Sequence, residues 1–528
     1  MLDTNSLSQS LPNCMTHSLR SLFDTYTPLV VHHIRCEVRS NSHCFTKRFK
    51  ITASPHPPRL QTSSVQSWQQ RHPHSVRTTM RTSTSPLSRT RMQTSPPSSA
   101  PTKVASTGKT LRQSSELRTS HNQVDQLLNN LSHRQLTKTL LKTSFNLTLS
   151  FPSDRLCPPV PVRWNYIRWL QDLLATTNST YTDTLSPQRS VLGLDIGVGA
   201  SCIYSLLACA SSPGWRMLGS DVDQHSLDYA RRNVEANDLQ NRIRLALTTT
   251  DDPLLPLDKM GVEELDFCMC NPPFYSSTSD MAAAYGSKAM PPSAVCTGSE
   301  NEMICPGGDV GFVTRIIDES LTLSWRVQWY SSMLGRLASV HQIITKLKEH
   351  NITNFAVTNL KAGQKTRRWA VAWSFQDFRP RNEVARHGEL VQAILPFTTE
   401  WTIALPEVSA DEAAHKLSAT MKDLSLKWHW RGELHAGIAF AKENVWSRAA
   451  RRKRKFEQQH KSDVADDGSE DEEEAVAIAI KITCRDQEVH IRWLRGQDLT
   501  LWESFCGMLK RALGARDKGK VKDVSMEE

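Results

Sequence analysis

Hydrophobic positions follow no period over residues 1–120, where Ser, Thr, Pro, Arg and His dominate and the only acids are Asp3, Asp24, Glu37 and Glu116. Such a stretch cannot bury enough apolar surface to offset its ordering entropy, so a disordered basic tail is expected. An acid-poor, Arg- and Ser-rich start also describes organelle transit peptides, but the length, the prolines and the missing amphipathic helix favour an electrostatic tail. Periodicity begins near Val124. Leu127, Leu128, Leu131, Leu136, Leu140 and Leu141 recur at helical spacing, and Phe145, Leu147, Leu149 and Phe151 alternate as in a strand. The proline-rich run from Leu156 to Arg163 reads as extended chain, and Trp164, Ile167, Leu170 and Leu174 then share one helical face, which leaves Arg163 at the junction.

Four strand-like runs follow, each ending in polar residues. Val191 to Ile196 leads straight into Gly197-Val-Gly199-Ala-Ser201 and a helix, the cofactor-binding turn of doubly wound folds. Cys202 stands where a dinucleotide fingerprint needs its third glycine, and Asp195 lies inside the strand, so the turn is closer to the acidic-strand glycine loop that cradles S-adenosylmethionine. Trp215 to Gly219 ends in Ser220-Asp221, an acid placed to accept two ribose hydroxyls. Ile243 to Leu247 leads to Thr248 through Asp252, where an adenine ring would lie. Leu265 to Cys270 stops at Asn271-Pro272-Pro273-Phe274, because prolines have no N–H for a ladder and push the residue before them out of the helical region. That ending projects an amide acceptor, free carbonyls and a flat ring, which suits a planar substrate with an exocyclic amine.

The polar segment from Ser276 to Gly311 is long enough to be a functional loop. Helices are expected at 312–320 and 337–350 and strands at 354–359 and 369–375, giving a seven-stranded sheet in a domain over 121–380. Lys361, Lys365, Arg367 and Arg368 fall at the tip between the last two strands, as candidate phosphate contacts or as a solvated turn. Residues 395–513 read as a small α+β domain interrupted by a disordered insertion at 445–474, followed by a charged tail over 514–528. The insertion holds the basic run Arg451 to Lys455, a nuclear-import or RNA-phosphate candidate.

Composition sharpens this picture. The 528 residues allow more than one domain, and 39% hydrophobic content indicates that polar segments dilute the cores. The net charge of +10 favours a polyanionic partner. The 12 cysteines are scattered and read as buried free thiols, with no metal site expected. No apolar run reaches the ~18 residues of a membrane span and no secretory signal opens the chain, so an intracellular setting with no membrane partner is expected.

Between Leu127 and Phe375 the chain closely resembles the U6 small nuclear RNA N6-adenosine methyltransferase family, the methyltransferase-like protein 16 family. The resemblance is carried by Val160-Pro-Val-Arg-Trp-Asn-Tyr-Ile-Arg-Trp169, Asp195-Ile-Gly-Val-Gly-Ala-Ser-Cys-Ile-Tyr204, Asp266-Phe-Cys-Met-Cys-Asn-Pro-Pro-Phe274, Trp329-Tyr-Ser-Ser-Met-Leu-Gly335 and Arg368-Trp-Ala-Val-Ala-Trp-Ser-Phe375. It implies an α/β, Rossmann-like seven-stranded class I methyltransferase with S-adenosylmethionine as cofactor. It further implies Arg163, Gly197, Asp221 and Asn271 as cofactor contacts and an adenine-side contact between Thr250 and Asp252; Asp221 stands where the family often has Glu. Asp195, Gly199 and Ser201 complete the expected cofactor set. A structured RNA, of the U6 small nuclear RNA hairpin type, is the implied partner, and the nucleus the implied location. Asn271, Pro272, Pro273 and Phe274 are the expected catalytic group, acting on N6 of an adenine held out of its stack. A protein glutamine methyltransferase, which orients a carboxamide nitrogen by the same motif, and an inert RNA-binding methyltransferase fold are the rival readings.

Overall fold

A computed structural model describes residues 133–286, 298–361, 367–386, 397–424, 426–460 and 476–514. The 1–120 tail, Leu127 to Leu131, Lys365, the acidic part of the 445–474 insertion and residues 515–528 lie outside the described residues.

Seven strands form one sheet: β1 Val191–Ile196, β2 Trp215–Asp221, β3 Ile243–Leu247, β4 Leu265–Cys270, β5 Val327–Leu334, β6 Asn354–Asn359 and β7 Trp369–Ser374. Their order is β3-β2-β1-β4-β5-β7-β6. β1 pairs in parallel with β2 and with β4, while β7 runs antiparallel between β5 and β6. The chain moves outward from β1 to β3 and then crosses back to β4, so the switch point lies between β1 and β4, and the crevice beyond their C-terminal ends is the ligand position of such sheets. Both faces are covered. Helices Val160–Thr176, Ile203–Ser211 and Gln224–Glu235 enclose one core, and Gly308–Leu323 with Leu337–Glu349 the other. The hydrophobic pattern does not delimit β5, because a strand buried on both faces has no alternation, and Ser331 and Ser332 sit fully buried within it.

Two expectations near the start of this unit are corrected. Residues 145–151 alternate but join no ladder; after the 133–145 helix they run extended beside Gln224–Glu235. Side-chain amides replace the partner strand: Asn233 accepts from the Ser150 N–H (2.7 Å) and donates to its carbonyl (2.7 Å), and Asn237 does the same for Thr148 (2.7 and 2.8 Å). Asn237 lies in the turn just past the helix end, one turn after Asn233, and its amide also donates to the Asn233 carbonyl (2.7 Å), so the two amides act as successive rungs. Second, the helix containing Trp164 begins at Val160, capped by Pro159. Proline is tolerated in a first turn, where its missing N–H has no helical partner, so Arg163 lies inside the helix rather than at its junction.

In the polar loop the structure forms helices at Thr278–Gly286 and Glu300–Met303. The following helix is Gly308–Leu323, longer than expected.

The C-terminal region builds a second, antiparallel sheet from β8 Glu400–Ala404, β9 Lys427–Arg431, β10 Ala436–Ala441, β11 Ile478–Arg485 and β12 Glu488–Arg495, in the order β8-β12-β11-β10-β9. Helices Ala410–Lys422 and Leu499–Ala512 cover one face. Part of the expected disordered insertion is a helix, Arg448–His460, whose start is anchored where Trp446 donates to Ser504 Oγ (2.7 Å) and meets Phe505 edge-on. The region is not set apart: Val124–Glu528 forms one compact unit. Buried arginines seam the two sheets. Arg379 donates to the Gly496 carbonyl (2.7 Å) and lies 4.4 Å from the Trp493 ring, with burial lowering its pKa to about 10. Arg492 pairs with Asp183 and donates to the Thr176 carbonyl (2.9 Å), at the last residue of the helix that carries Arg163.

Candidate active site at the ends of β1 and β4

The glycine turn follows β1 because its backbone is left-handed at Gly197 (φ 71°) and Gly199 (φ 62°), a region that disfavours side chains. The N–H groups of Gly197 and Val198 both donate to the Ser220 carbonyl (2.9 Å each), which fastens the turn to the end of β2. Open space lies where a side chain on Gly197 would project. Ser201 is buried in the same turn, just before the Ile203–Ser211 helix.

Asp221 ends β2. Its carboxylate accepts from the Gly199 N–H (2.8 Å) and the Asp223 N–H (2.9 Å), which orients it toward the turn while leaving lone pairs for hydroxyl donors. Burial raises its pKa. Val222, 47% exposed, and Leu247, 41% exposed, offer apolar surface at the ends of β2 and β3. Of the polar residues after β3, Thr248 is buried and donates its N–H to the Asp221 carbonyl (2.9 Å), whereas Thr250 is exposed. Asp252 is engaged locally by the Thr249 N–H (2.7 Å) and Lys259 (2.7 Å), and the Lys259 hydrogen bond holds its carboxyl below the usual range.

Asp195 is fully buried and neither carboxylate oxygen has a partner. Desolvation, with the Asp221 charge adding to it and Arg163 opposing, pushes its pKa well above the usual carboxylate value. An unpartnered buried acceptor costs about 1–3 kcal/mol, more when charged, so this group is built for a donor that the protein does not supply. Arg163 is buried too. Its guanidinium donates to the Tyr204 hydroxyl (2.6 Å) and stacks 5.2 Å from that ring. Sequence reasoning missed Tyr204 as the group that aims Arg163; its place in the helix after the glycine turn was the available signal.

At the end of β4, Asn271 Oδ1 is buried without a partner. Pro272 is buried behind it, and Pro273 and Phe274 are half-buried. The Arg368 guanidinium lies 5.2 Å from the Phe274 ring, and β6 runs parallel to β4, so the β6–β7 tip rises at the same edge. Lys361 and Arg367 are exposed there; Lys365 is not among the described residues. Sequence reasoning also missed Glu302, whose side chain accepts from Ser299 N–H (2.8 Å) and Leu156 N–H (3.2 Å) and whose other oxygen is 3.8 Å from the Cβ position of Gly199. The structure thus gathers Arg163, Asp195, the glycine turn, Asp221 and Asn271 at one edge, with Phe274 and Arg368 beside them.

The sequence matches an RNA methyltransferase family model over residues 88–377. It is 36% identical to the fission yeast U6 small nuclear RNA (adenine-(43)-N(6))-methyltransferase over 73% of this chain and 94% of that protein. The chain belongs to this RNA N6-adenosine methyltransferase family. A zebrafish RNA N(6)-adenosine-methyltransferase is 32% identical over 72% of this chain and 87% of its own length. The solved catalytic domain of hMettl16 in complex with MAT2A 3'UTR hairpin 1 is 38% identical, covering 47% of this chain and 81% of that one, at a TM-score of 0.42. The matched span of this N6-adenosine methyltransferase reaches Asp377, on the seam, and so holds the whole gathered edge.

The residues present fit S-adenosylmethionine. The cofactor brings an ammonium and a sulfonium, and the site offers the unpartnered acceptors of Asp195 together with Asp221. Its carboxylate needs a cation, and Arg163 is held at the same edge.

Proposed function

We propose that the protein methylates N6 of an adenosine in a structured RNA, with a hairpin of U6 small nuclear RNA, the substrate in the name of its fission yeast relative, as the first candidate. The observation that carries this reading is the buried, unpartnered Asn271 Oδ1 at the end of β4, next to the glycine turn at the end of β1. Bound S-adenosylmethionine supplies an electrophilic methyl on a sulfonium. Arg163 faces the cofactor's carboxylate, Asp195 its ammonium, Gly197, Gly199 and Ser201 its backbone side, and Asp221 its ribose. Val222 and Leu247 give the cofactor's adenine an apolar floor, with Thr250 or Asp252 at its polar edge.

The acceptor amine is a poor nucleophile because its lone pair is delocalised into the purine ring. Asn271 Oδ1 and the Pro272 carbonyl accept its two N–H groups, which localises the lone pair and aims it. Phe274 stacks on the base. As the N–C bond forms the S–C bond breaks, S-adenosylhomocysteine leaves, and the excess proton passes from N6 to water. Orientation of this kind supplies up to roughly 7–11 kcal/mol when the attack geometry is near ideal, so no strong base is needed.

Lys361, Lys365, Arg367 and Arg368 contact phosphates at the same edge, which is supported by exposure of Lys361 and Arg367 and by the position of the tip. The exposed cations of β9 and the basic run from Arg451 support a second RNA contact on the C-terminal sheet, and the same run supports nuclear import. Incubation of the full chain with labelled S-adenosylmethionine and total RNA, followed by digestion to nucleosides, tests the proposal. The label is expected in N6-methyladenosine; label in another nucleoside, or only in protein, contradicts it.

A further inference from the structure

Phe274 is held by a slot that the Asn-Pro-Pro-Phe motif does not itself contain. Gly335, the residue after β5, lies against its ring: a Cβ built on Gly335 would stand 2.9 Å from Phe274 Cδ1 and 3.4 Å from Cε1, closer than side chains pack. The next nearest atom is Asp309 Oδ2, at 3.5 Å. Gly335 is not in the left-handed region, so its backbone does not demand glycine. What demands glycine is the ring.

Asp309 fixes this slot. It is buried in the first turn of Gly308–Leu323, and its Oδ2 accepts the Gly335 N–H (2.9 Å) while its Oδ1 accepts the Ser339 hydroxyl (2.9 Å). The preceding residue, Gly308, is left-handed (φ 61°), and its Cβ position lies 3.1 Å from the Phe274 carbonyl oxygen. One helix N-terminus therefore abuts the main chain of Phe274 through Gly308 and sets the seat of its ring through Asp309 and Gly335. The Arg368 guanidinium also lies over this ring, 5.2 Å from its centre.

We propose that Gly335, held by Asp309, is a positioning residue for methyl transfer: its missing side chain sets where the Phe274 ring lies beside Asn271, and hence how the acceptor base is aimed. The proposal rests on the functional reading above in giving Phe274 the acceptor base. Rings also fill the Cβ positions of Gly193 (Phe267, 2.3 Å) and Gly437 (Trp428, 2.4 Å), where the contact is core packing; Gly335 differs in that its ring belongs to the Asn-Pro-Pro-Phe loop.

The test uses the full chain as wild type, Gly335→Ala, Asp309→Ala, Asp309→Asn and Phe274→Ala. The RNA is a U6-derived hairpin whose methylated adenosine, first located with labelled cofactor, is replaced by 2-aminopurine for fluorescence and retained for kinetics. Gly335→Ala is expected to lower kcat about 10- to 100-fold, the scale of a small misplacement of reacting groups, with cofactor affinity by calorimetry and thermal stability unchanged. Its 2-aminopurine signal is expected to move toward that of Phe274→Ala. Asp309→Ala should follow the same direction, and Asp309→Asn, which keeps an acceptor for the Gly335 N–H, should lie nearer wild type. If Phe274→Ala leaves the fluorescence unaltered, the stacking role of Phe274 fails. If Phe274→Ala alters it while Gly335→Ala matches wild type in kcat and signal, the slot fails. A loss of kcat matched by equal loss of cofactor affinity and stability also overturns it, since that is general damage to the fold.

Discussion

The edge at β1 and β4 and the seam between the two sheets handle buried polar groups differently. At the seam, the guanidinium groups of Arg379 and Arg492 bond carbonyls and Asp183, with Arg492 Nε left over, so buried charge there joins parts of the chain. At the edge, Asp195 and Asn271 keep buried acceptors without partners. Unsatisfied acceptors are a standing cost in a folded protein; Asn359 and Asn444 each carry one, but at the switch point three such oxygens, two of Asp195 and one of Asn271, lie at the C-terminal ends of paired strands, at the expected ligand crevice. The seam is structure, and the edge is function.

Substitution of Asn271 by Ala should separate the two most sharply. It removes the acceptor at the reacting amine and little buried surface, so turnover on a hairpin should fall by about 10²-fold or more while unfolding by denaturant is unchanged. Next, Arg492→Ala should do the reverse. Asp183 keeps Arg381 nearby (3.7 Å), but the Thr176 carbonyl loses its donor, and a loss of about 2–3 kcal/mol is expected in the same unfolding measurement. A normal stability for Arg492→Ala would show that the seam is an incidental contact. Smaller again, Asp221→Ala should weaken S-adenosylmethionine binding by about 1.5–3 kcal/mol in calorimetry, the scale of a hydrogen bond involving a charged group.

The mildest expected effect is a dependence on pH. Burial first, and the Asp221 charge second, raise the Asp195 pKa in the folded protein. The folded state then holds that proton more tightly than the unfolded chain does, so the stability it contributes is full below the ordinary carboxylate pKa and is lost as pH rises through the raised value. Thermal melts of the cofactor-free protein should decline over that window, and Asp195→Asn should flatten the decline. A cationic ligand favours the ionised carboxylate, so added S-adenosylmethionine should stabilise more as pH rises. Identical slopes for Asp195→Asn and wild type would remove Asp195 from the site.

Much of the edge was legible because it is written locally. β3 and β4 span the ranges that the hydrophobic runs suggested, and two prolines after Asn271 end β4 by chemistry that needs no tertiary context. The glycine turn was legible for the same reason. What escaped is non-local. Asn233 and Asn237 read as ordinary polar helix positions until Thr148 and Ser150 are placed beside them. The Glu302 contact to Leu156 joins residues 146 apart in sequence, and Asp309 meets Gly335 only after the helix returns to the end of β5. Arg163 was found at the right place on the wrong element, since prolines at 159 and 161 read as breakers although both fit a helix start. The C-terminal sheet was legible as strands and helices, yet its seam depends on arginines that a sequence shows only as surface charge.

The most direct measurement concerns the acceptor atom. A hairpin methylated by the full chain is prepared with its target adenosine replaced by purine riboside, which keeps the ring but lacks the N6 amine, and both RNAs are incubated with labelled S-adenosylmethionine at saturating concentration. The account predicts label in the adenosine hairpin, recovered as N6-methyladenosine, and none in the purine hairpin although it binds comparably. Label transferred to the purine hairpin would place the chemistry on another atom and contradict the role given to Asn271.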